Sequence, residues 1–171
     1  VSSVASRRGI QTLYKGVLFR SRTEARWAAY FDGVEWRWSY EPFDLYGYIP
    51  DFLLHFPAGE MVCEVKALDE DFRAAEIKLD CSTWEGPALI VAQNIEGKLC
   101  GRIRDWGTGM PEWCDAEFFT CISCGSVSVL AVEGDWSCRV CGAGNGNAHV
   151  GEYDPAPVWA EATNRVQWRA E

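Results

Sequence analysis

Two sets of residues in this chain have types and spacings suited to chemistry. The first is Cys121-x-x-Cys124, a gap of 13 residues, and Cys138-x-x-Cys141. Two CxxC pairs are the chelating halves that a tetrahedral zinc held by four thiolates needs. Each pair is followed by glycine, Gly125 or Gly142, which suits the tight turn of a zinc knuckle. With four protein ligands the site keeps no open position, so its expected role is structural. Iron in the same ligand set is the minor alternative. The second set is Asp51, a gap of 12 residues, and Glu64-Val65-Lys66.

The second set needs elements that bring distant residues together, and the sequence offers a β-hairpin. Residues 48–56 form one apolar, β-favouring arm, Pro57-Ala58-Gly59-Glu60 the turn, and residues 61–66 the other arm. Strand side chains alternate faces, so Glu64 and Lys66 point one way and Cys63 and Val65 the other. Pairing around the turn sets Asp51 beside Glu64. Two adjacent carboxylates repel, and uncompensated, one takes up a proton. Lys66 offsets one charge. Glu24, in a preceding helix, adds a third carboxylate, or serves simply as the partner of a capping box with Ser21. Three carboxylates against one ammonium call for a divalent cation, and hard oxygen ligands in small number suit Mg²⁺ or Mn²⁺. Such a cation lowers the pKa of a bound water and neutralises charge on a phosphate, while Lys66 orients the water or stabilises the transition state. The plain alternative is a solvated strand-end salt bridge.

The surrounding pattern predicts an α/β chain. Residues 1–13 read as a basic N-terminal arm. Ser21 caps a helix that carries Glu24, Trp27, Tyr30 and Phe31 and ends at Gly33. Residues 36–40 alternate as a strand, and the hairpin follows. A second helix is expected over about 69–83, and Ala88–Ala92 is a continuous apolar run of the kind found in a strand covered on both faces. The order is αβββαβ. Residues 96–116 are expected to connect, with a short strand at 98–103 and a loop at 107–111. A zinc ribbon is expected over 117–145, with strands at 126–130 and 133–137, and a C-terminal loop and helix over 146–171, the helix starting near Pro157. Cys63, Cys81, Cys100 and Cys114 lack ligand spacing. His55 and His149 stand alone, as structural histidines usually do.

Composition bounds the partners. Net charge is −9, but the distribution is polar. Residues 1–26 set Arg7, Arg8, Lys15, Arg20, Arg22 and Arg26 against Glu24 alone, while residues 105–161 carry nine acids and only Arg139. The basic front adjoins Glu24, which suits a phosphate backbone approaching the acidic site. No apolar run is long enough for a membrane span, and no signal peptide is evident, so an intracellular, cytoplasmic protein is the default. In that compartment eight cysteines favour metal ligation or burial over disulfides.

Pro50-Asp51, the gap, and Glu64-Val65-Lys66, set in the αβββαβ order with Glu24 in the first helix, resemble the PD-(D/E)XK nuclease superfamily over roughly residues 14–95. The helix around Arg20–Trp27 and the Tyr40-Glu41-Pro42 strand end also resemble its small, often phage-encoded members. The resemblance implies a restriction-endonuclease-like core with a mixed sheet. It also implies a metal-dependent deoxyribonuclease: a structure-selective endonuclease, a Holliday-junction resolvase acting on branched DNA, or an exonuclease. By position, Asp51, Glu64 and the Val65 carbonyl would ligate Mg²⁺ or Mn²⁺, Glu24 would adjust the site, and Lys66 would be the catalytic lysine. Lys78 and Glu41 are outside candidates. A resolvase would act as a two-fold homodimer. The competing class is a non-catalytic DNA- or protein-binding module that uses the ribbon as its interaction surface.

Overall fold

The computed structural model describes residues 9–67, 72–105, 112–134, 136–144 and 147–167. Much of the expected N-terminal arm, the loop at 107–111 and Trp168 therefore lie outside the described residues. Ten strands and three helices are described: β1 (Thr12–Tyr14), β2 (Val17–Phe19), α1 (Arg22–Gly33), β3 (Arg37–Tyr40), β4 (Phe52–Phe56), β5 (Gly59–Val65), α2 (Phe72–Asp80), β6 (Ala88–Glu96), β7 (Leu99–Arg104), β8 (Trp113–Cys121), β9 (Val127–Ala131), β10 (Val150–Gly151) and α3 (Ala156–Arg165). The order from α1 to β6 is αβββαβ, as the patterning predicts.

One mixed sheet carries the chain, in the order β10-β8-β7-β6-β5-β4-β3, with β9 also paired to β8. The β5–β6 pair is parallel and the others are antiparallel. A parallel pair needs a crossover, and α2 supplies it. Strand alternation sorts the two faces. Phe52, Leu54, Phe56, Met61, Cys63, Leu89 and Val91 share a core with α1 and α3. Leu53, Val62, Ala88 and Ile90 pack instead with Ala75 and Leu79 of α2. The first core is aromatic: Trp27 lies 4.7 Å from Trp159 of α3, and Phe31 stacks on Trp36 at 5.8 Å. No helix among the described residues is long and apolar enough to cross a membrane.

The helix α2 ends at Asp80, before the expected 83, its expected start at 69–71 lies outside the described residues, and its apolar face is thin because Ile77 is exposed. Ion pairs make up the difference. Arg102 of β7 reaches Glu76 at 3.1 Å, and the buried Arg104 reaches Asp80 at 2.6 Å. These arginines explain why β7 reads weakly as a strand: its outward positions serve the helix above them.

The short strand expected at 98–103 is β7, and together with the start of β8 it belongs to the main sheet. The cysteine segment is continuous with that sheet: β8 runs through it and ends in Cys121, and β9 pairs with β8. The expected strand at 133–137 is turn and loop where described, because β8, not a second ribbon strand, is the partner of β9. The lead into α1 is also more ordered than read. Lys15 and Gly16, both with positive φ (47° and 80°), form the two-residue turn of the β1–β2 hairpin.

A bulge interrupts β6–β7 between Val91 and Glu96, and Gly101 lies opposite Val91. Gly101 has φ of +152°, and a Cβ there would stand 1.8 Å from the Ile90 carbonyl oxygen. Backbone cannot retreat as a side-chain tip can. Gly101→Ala is therefore expected to cost about 2–4 kcal/mol, read as a lower midpoint in urea unfolding.

Candidate functional site

The hairpin places the acidic residues as alternation requires. Phe52 pairs with Cys63, so Asp51, one residue before β4, falls opposite Glu64. The Asp51 backbone carbonyl accepts from the Glu41 N–H at 2.9 Å, extending the β3–β4 ladder by one rung. Its side chain accepts from the Val65 N–H at 2.7 Å, tying the two arms together at their open end. Glu24 arrives from the first turn of α1. Ser21 is the N-cap and accepts from the Glu24 N–H, while its hydroxyl donates back to the Glu24 carboxylate at 2.7 Å. The capping and site readings of Glu24 thus coexist.

Glu24, Asp51 and Glu64 are all buried. Each of their six oxygens has a donor. Tyr40 donates to Glu24 at 2.6 Å, Tyr48 to Glu64 at 2.6 Å, and Lys66 to the other Glu64 oxygen at 2.6 Å. Arg20 donates to Asp51 at 2.6 Å. Burial, then the charges of Glu64 and Glu24, push the Asp51 carboxyl up to about 7, against the Val65 N–H and Arg20, which pull it down. Burial and the neighbouring Glu64 raise the Tyr48 phenol; burial and the hydrogen bond to Glu24 raise that of Tyr40. Both phenols therefore remain donors at neutral pH.

A cleft of about 480 Å³ opens here, lined by Arg20, Glu24, Tyr48, Asp51, Glu64, Val65, Lys66 and Lys78 among others. Every residue proposed from the sequence for the acidic site borders it, and so does Lys78. Glu41 joins through Arg20, whose Nε lies 3.0 Å from it. His55 does not join, being held by Ser39 and Glu60. Sequence reasoning counted Arg20 only in the basic front beside Glu24 and assigned no role to Tyr40 or Tyr48. The available signal was local: Tyr48 precedes Pro50-Asp51 by one alternation, and Arg20 directly precedes the cap.

The second site stands apart. The Sγ atoms of Cys121, Cys124, Cys138 and Cys141 all lie within 4.8 Å of one another, a donor set that can hold a metal ion such as zinc. Cys121–Cys141 and Cys124–Cys138 are 3.7 and 3.8 Å apart. A tetrahedron with metal–sulfur bonds of about 2.3 Å has edges of about 3.8 Å. The two knuckles repeat one backbone plan. Gly125 N–H donates to Cys121 at 2.7 Å and Gly142 N–H to Cys138 at 2.8 Å, each glycine at φ +74°. The first cysteine of each knuckle also donates its N–H, to Ser126 or Ala143. His149 packs nearby, its Nε2 against the Trp136 carbonyl, and carries no part of the donor set.

The Arg139 carbonyl, inside the second knuckle, accepts from the Ala58 N–H at the hairpin turn. The hairpin therefore has the cysteine cluster near its closed end and the carboxylates at its open end, roughly 20 Å apart along the strands. No family model, no curated protein and no solved structure matches this chain.

Proposed function

We propose that this chain is a Mg²⁺- or Mn²⁺-dependent deoxyribonuclease with a restriction-endonuclease-like core, acting as a structure-selective endonuclease. The observation that carries the reading is the convergence of three buried carboxylates and Lys66 on one cleft at the open end of the β4–β5 hairpin. The donor set fits a hard divalent cation: it is all oxygen, it is buried, and burial, with the charges of Glu64 and Glu24 behind it, has already pushed the Asp51 carboxyl up. Asp51 and Glu64, with the Val65 carbonyl, would hold the cation, and Glu24 would adjust the site. When bound, the cation supplies charge neutralisation at the scissile phosphate and a more acidic water.

The chain's own residues do the rest. Lys66, now on Glu64, lies within reach of a phosphate in the cleft and of the attacking water. Tyr48 fixes the Glu64 carboxylate from its other side. Lys78 adds positive charge to the wall. In this reading the four cysteines hold a structural zinc and take no part in the chemical step.

Incubation with branched, linear and circular DNA tests the reading. Cleavage is expected with Mg²⁺ or Mn²⁺ and none with a chelator in excess. Nicked circles identify an endonuclease, whereas digestion confined to linear ends identifies an exonuclease. DNA that is bound but left intact under every metal condition makes the chain a binding module and overturns the proposal.

A further inference from the structure

We propose that Arg20 is the resident counter-cation of the carboxylate cluster, competing with the divalent cation for one oxygen of Asp51 and moving to Glu41 when that cation enters. The inference rests on the metal-site reading above and concerns how the site is kept closed without metal.

The oxygens of Asp51 are not equivalent. Oδ2 is taken by the Val65 N–H, a bond that closes the end of the hairpin. Oδ1 is the oxygen a cation can reach without opening the strands, and the Arg20 guanidinium holds it at 2.6 Å. Lys66 cannot serve instead, because its ammonium is on Glu64. Arg20 also lies 4.0 Å from Glu24. One guanidinium thus shields the carboxylates that Lys66 does not reach.

Displacement needs a second place for the arginine to go, and Glu41 provides it. Its carboxylate already lies 3.0 Å from Arg20 Nε while Nη2 is on Asp51, so the guanidinium can release Asp51 and keep Glu41. Glu41 sits at φ +44°, a conformation that costs a non-glycine residue free energy and persists where the surroundings impose it. The bond from its N–H to the Asp51 carbonyl fixes the spacing of the two acceptors. Arg20 itself has an anchored backbone, its N–H on the Tyr40 hydroxyl at 3.1 Å, and a side chain that is 56% exposed. A fixed base, a loose tip and two acceptors at set positions make a swing between them inexpensive. After the swing, the guanidinium edge that faced Asp51 is free at the mouth of the cleft, where its planar fork matches a phosphate.

Mn²⁺ titration by calorimetry on the full, zinc-loaded chain tests this without an activity assay. Arg20→Gln is expected to bind Mn²⁺ about tenfold more tightly than wild type, since a half-exposed ion pair no longer competes. Glu41→Gln, which removes the alternative acceptor, is expected to bind more weakly. Without Mn²⁺, Arg20→Gln should melt lower than wild type, with the gap closing at saturating Mn²⁺. A purely structural Arg20 would lower melting at every metal concentration and give no gain in affinity. Should Arg20→Gln fail to fold, Arg20→Lys, which keeps one charge but cannot fork, is expected to bind Mn²⁺ more tightly than wild type, by less than about tenfold. Mn²⁺ binding that is lost in Asp51→Asn yet equal or weaker in Arg20→Gln overturns the counter-cation role alone. No binding by wild type, or full binding by Asp51→Asn, overturns both this inference and the metal site beneath it.

Discussion

Asp51→Asn is expected to abolish metal-dependent DNA cleavage, by about 10³-fold or more, while leaving the fold intact and at neutral pH somewhat firmer. The amide oxygen can still accept the Val65 N–H that closes the hairpin. What disappears is a buried negative charge beside Glu64 and Glu24. The Asp51 carboxyl is raised from 3.8 to about 7, chiefly by burial, so between those values the folded chain binds more protons than the unfolded chain. Stability contributed by this group is then full below about pH 4 and is lost as pH rises through about 7. The gap in melting temperature between Asp51→Asn and wild type should therefore be small in acid and widen toward pH 8, measured without divalent cations. Lys66→Ala should also lose cleavage but shift melting the other way, because it strips Glu64 of the ammonium that donates to it. Two inactive variants with opposite stability changes separate loss of chemistry from loss of structure. Retained cleavage in either one would falsify the assignment.

Cys138→Ser is expected to give the largest stability loss. Around the cysteines the buried core is small: Phe119, Cys121, Leu130 and Cys138, with Trp136 and Val140 packed against them. A core of that size cannot order the two knuckles, and a metal held by the four thiolates would substitute for it. Burial pushes the Cys138 thiol up to about 12, so ionising it needs the cation's charge. Because β8 and β9 belong to the main sheet, the damage should spread beyond the knuckles. A loss of about 5 kcal/mol, or 10–20 °C in melting temperature, is expected. Scanning calorimetry with elemental analysis checks it, and a variant that has lost its zinc but melts unchanged refutes the structural role.

Much of this was legible in the sequence, for reasons that differ by element. The hairpin and its charged end could be read because residues 52–56 and 61–65 are β-favouring, largely apolar runs on either side of a turn, and each face meets a helix. The knuckles could be read because chelation fixes spacing, whatever the fold around it. The extent of the sheet could not. Arg102 and Arg104 break the apolar pattern of β7, and their partners Glu76 and Asp80 lie on another element. Nor could the roles of Tyr40, Tyr48 and Arg20 be read, because each depends on which carboxylate stands opposite in space. The Ser21–Glu24 spacing did signal a cap, and nothing in it distinguished the cap from the carboxylate it also positions.

The packing of α3 on α1 sets an order of events as the chain is made. Trp159, Ala162 and Val166 cover the face of α1 that bears Trp27 and Tyr30, and Tyr30 bonds Tyr153 across a separation of 123 residues. A ribosome delivers α1 well before its cover. Until α3 emerges, the most aromatic face of the core has no lid, although the carboxylates, the hairpin and the knuckles have all been synthesised. Closure over residues this far apart in sequence is slow compared with local pairing. The nascent chain thus carries a complete set of site residues before it has a complete core, and docking of α3 is the step that seals that core.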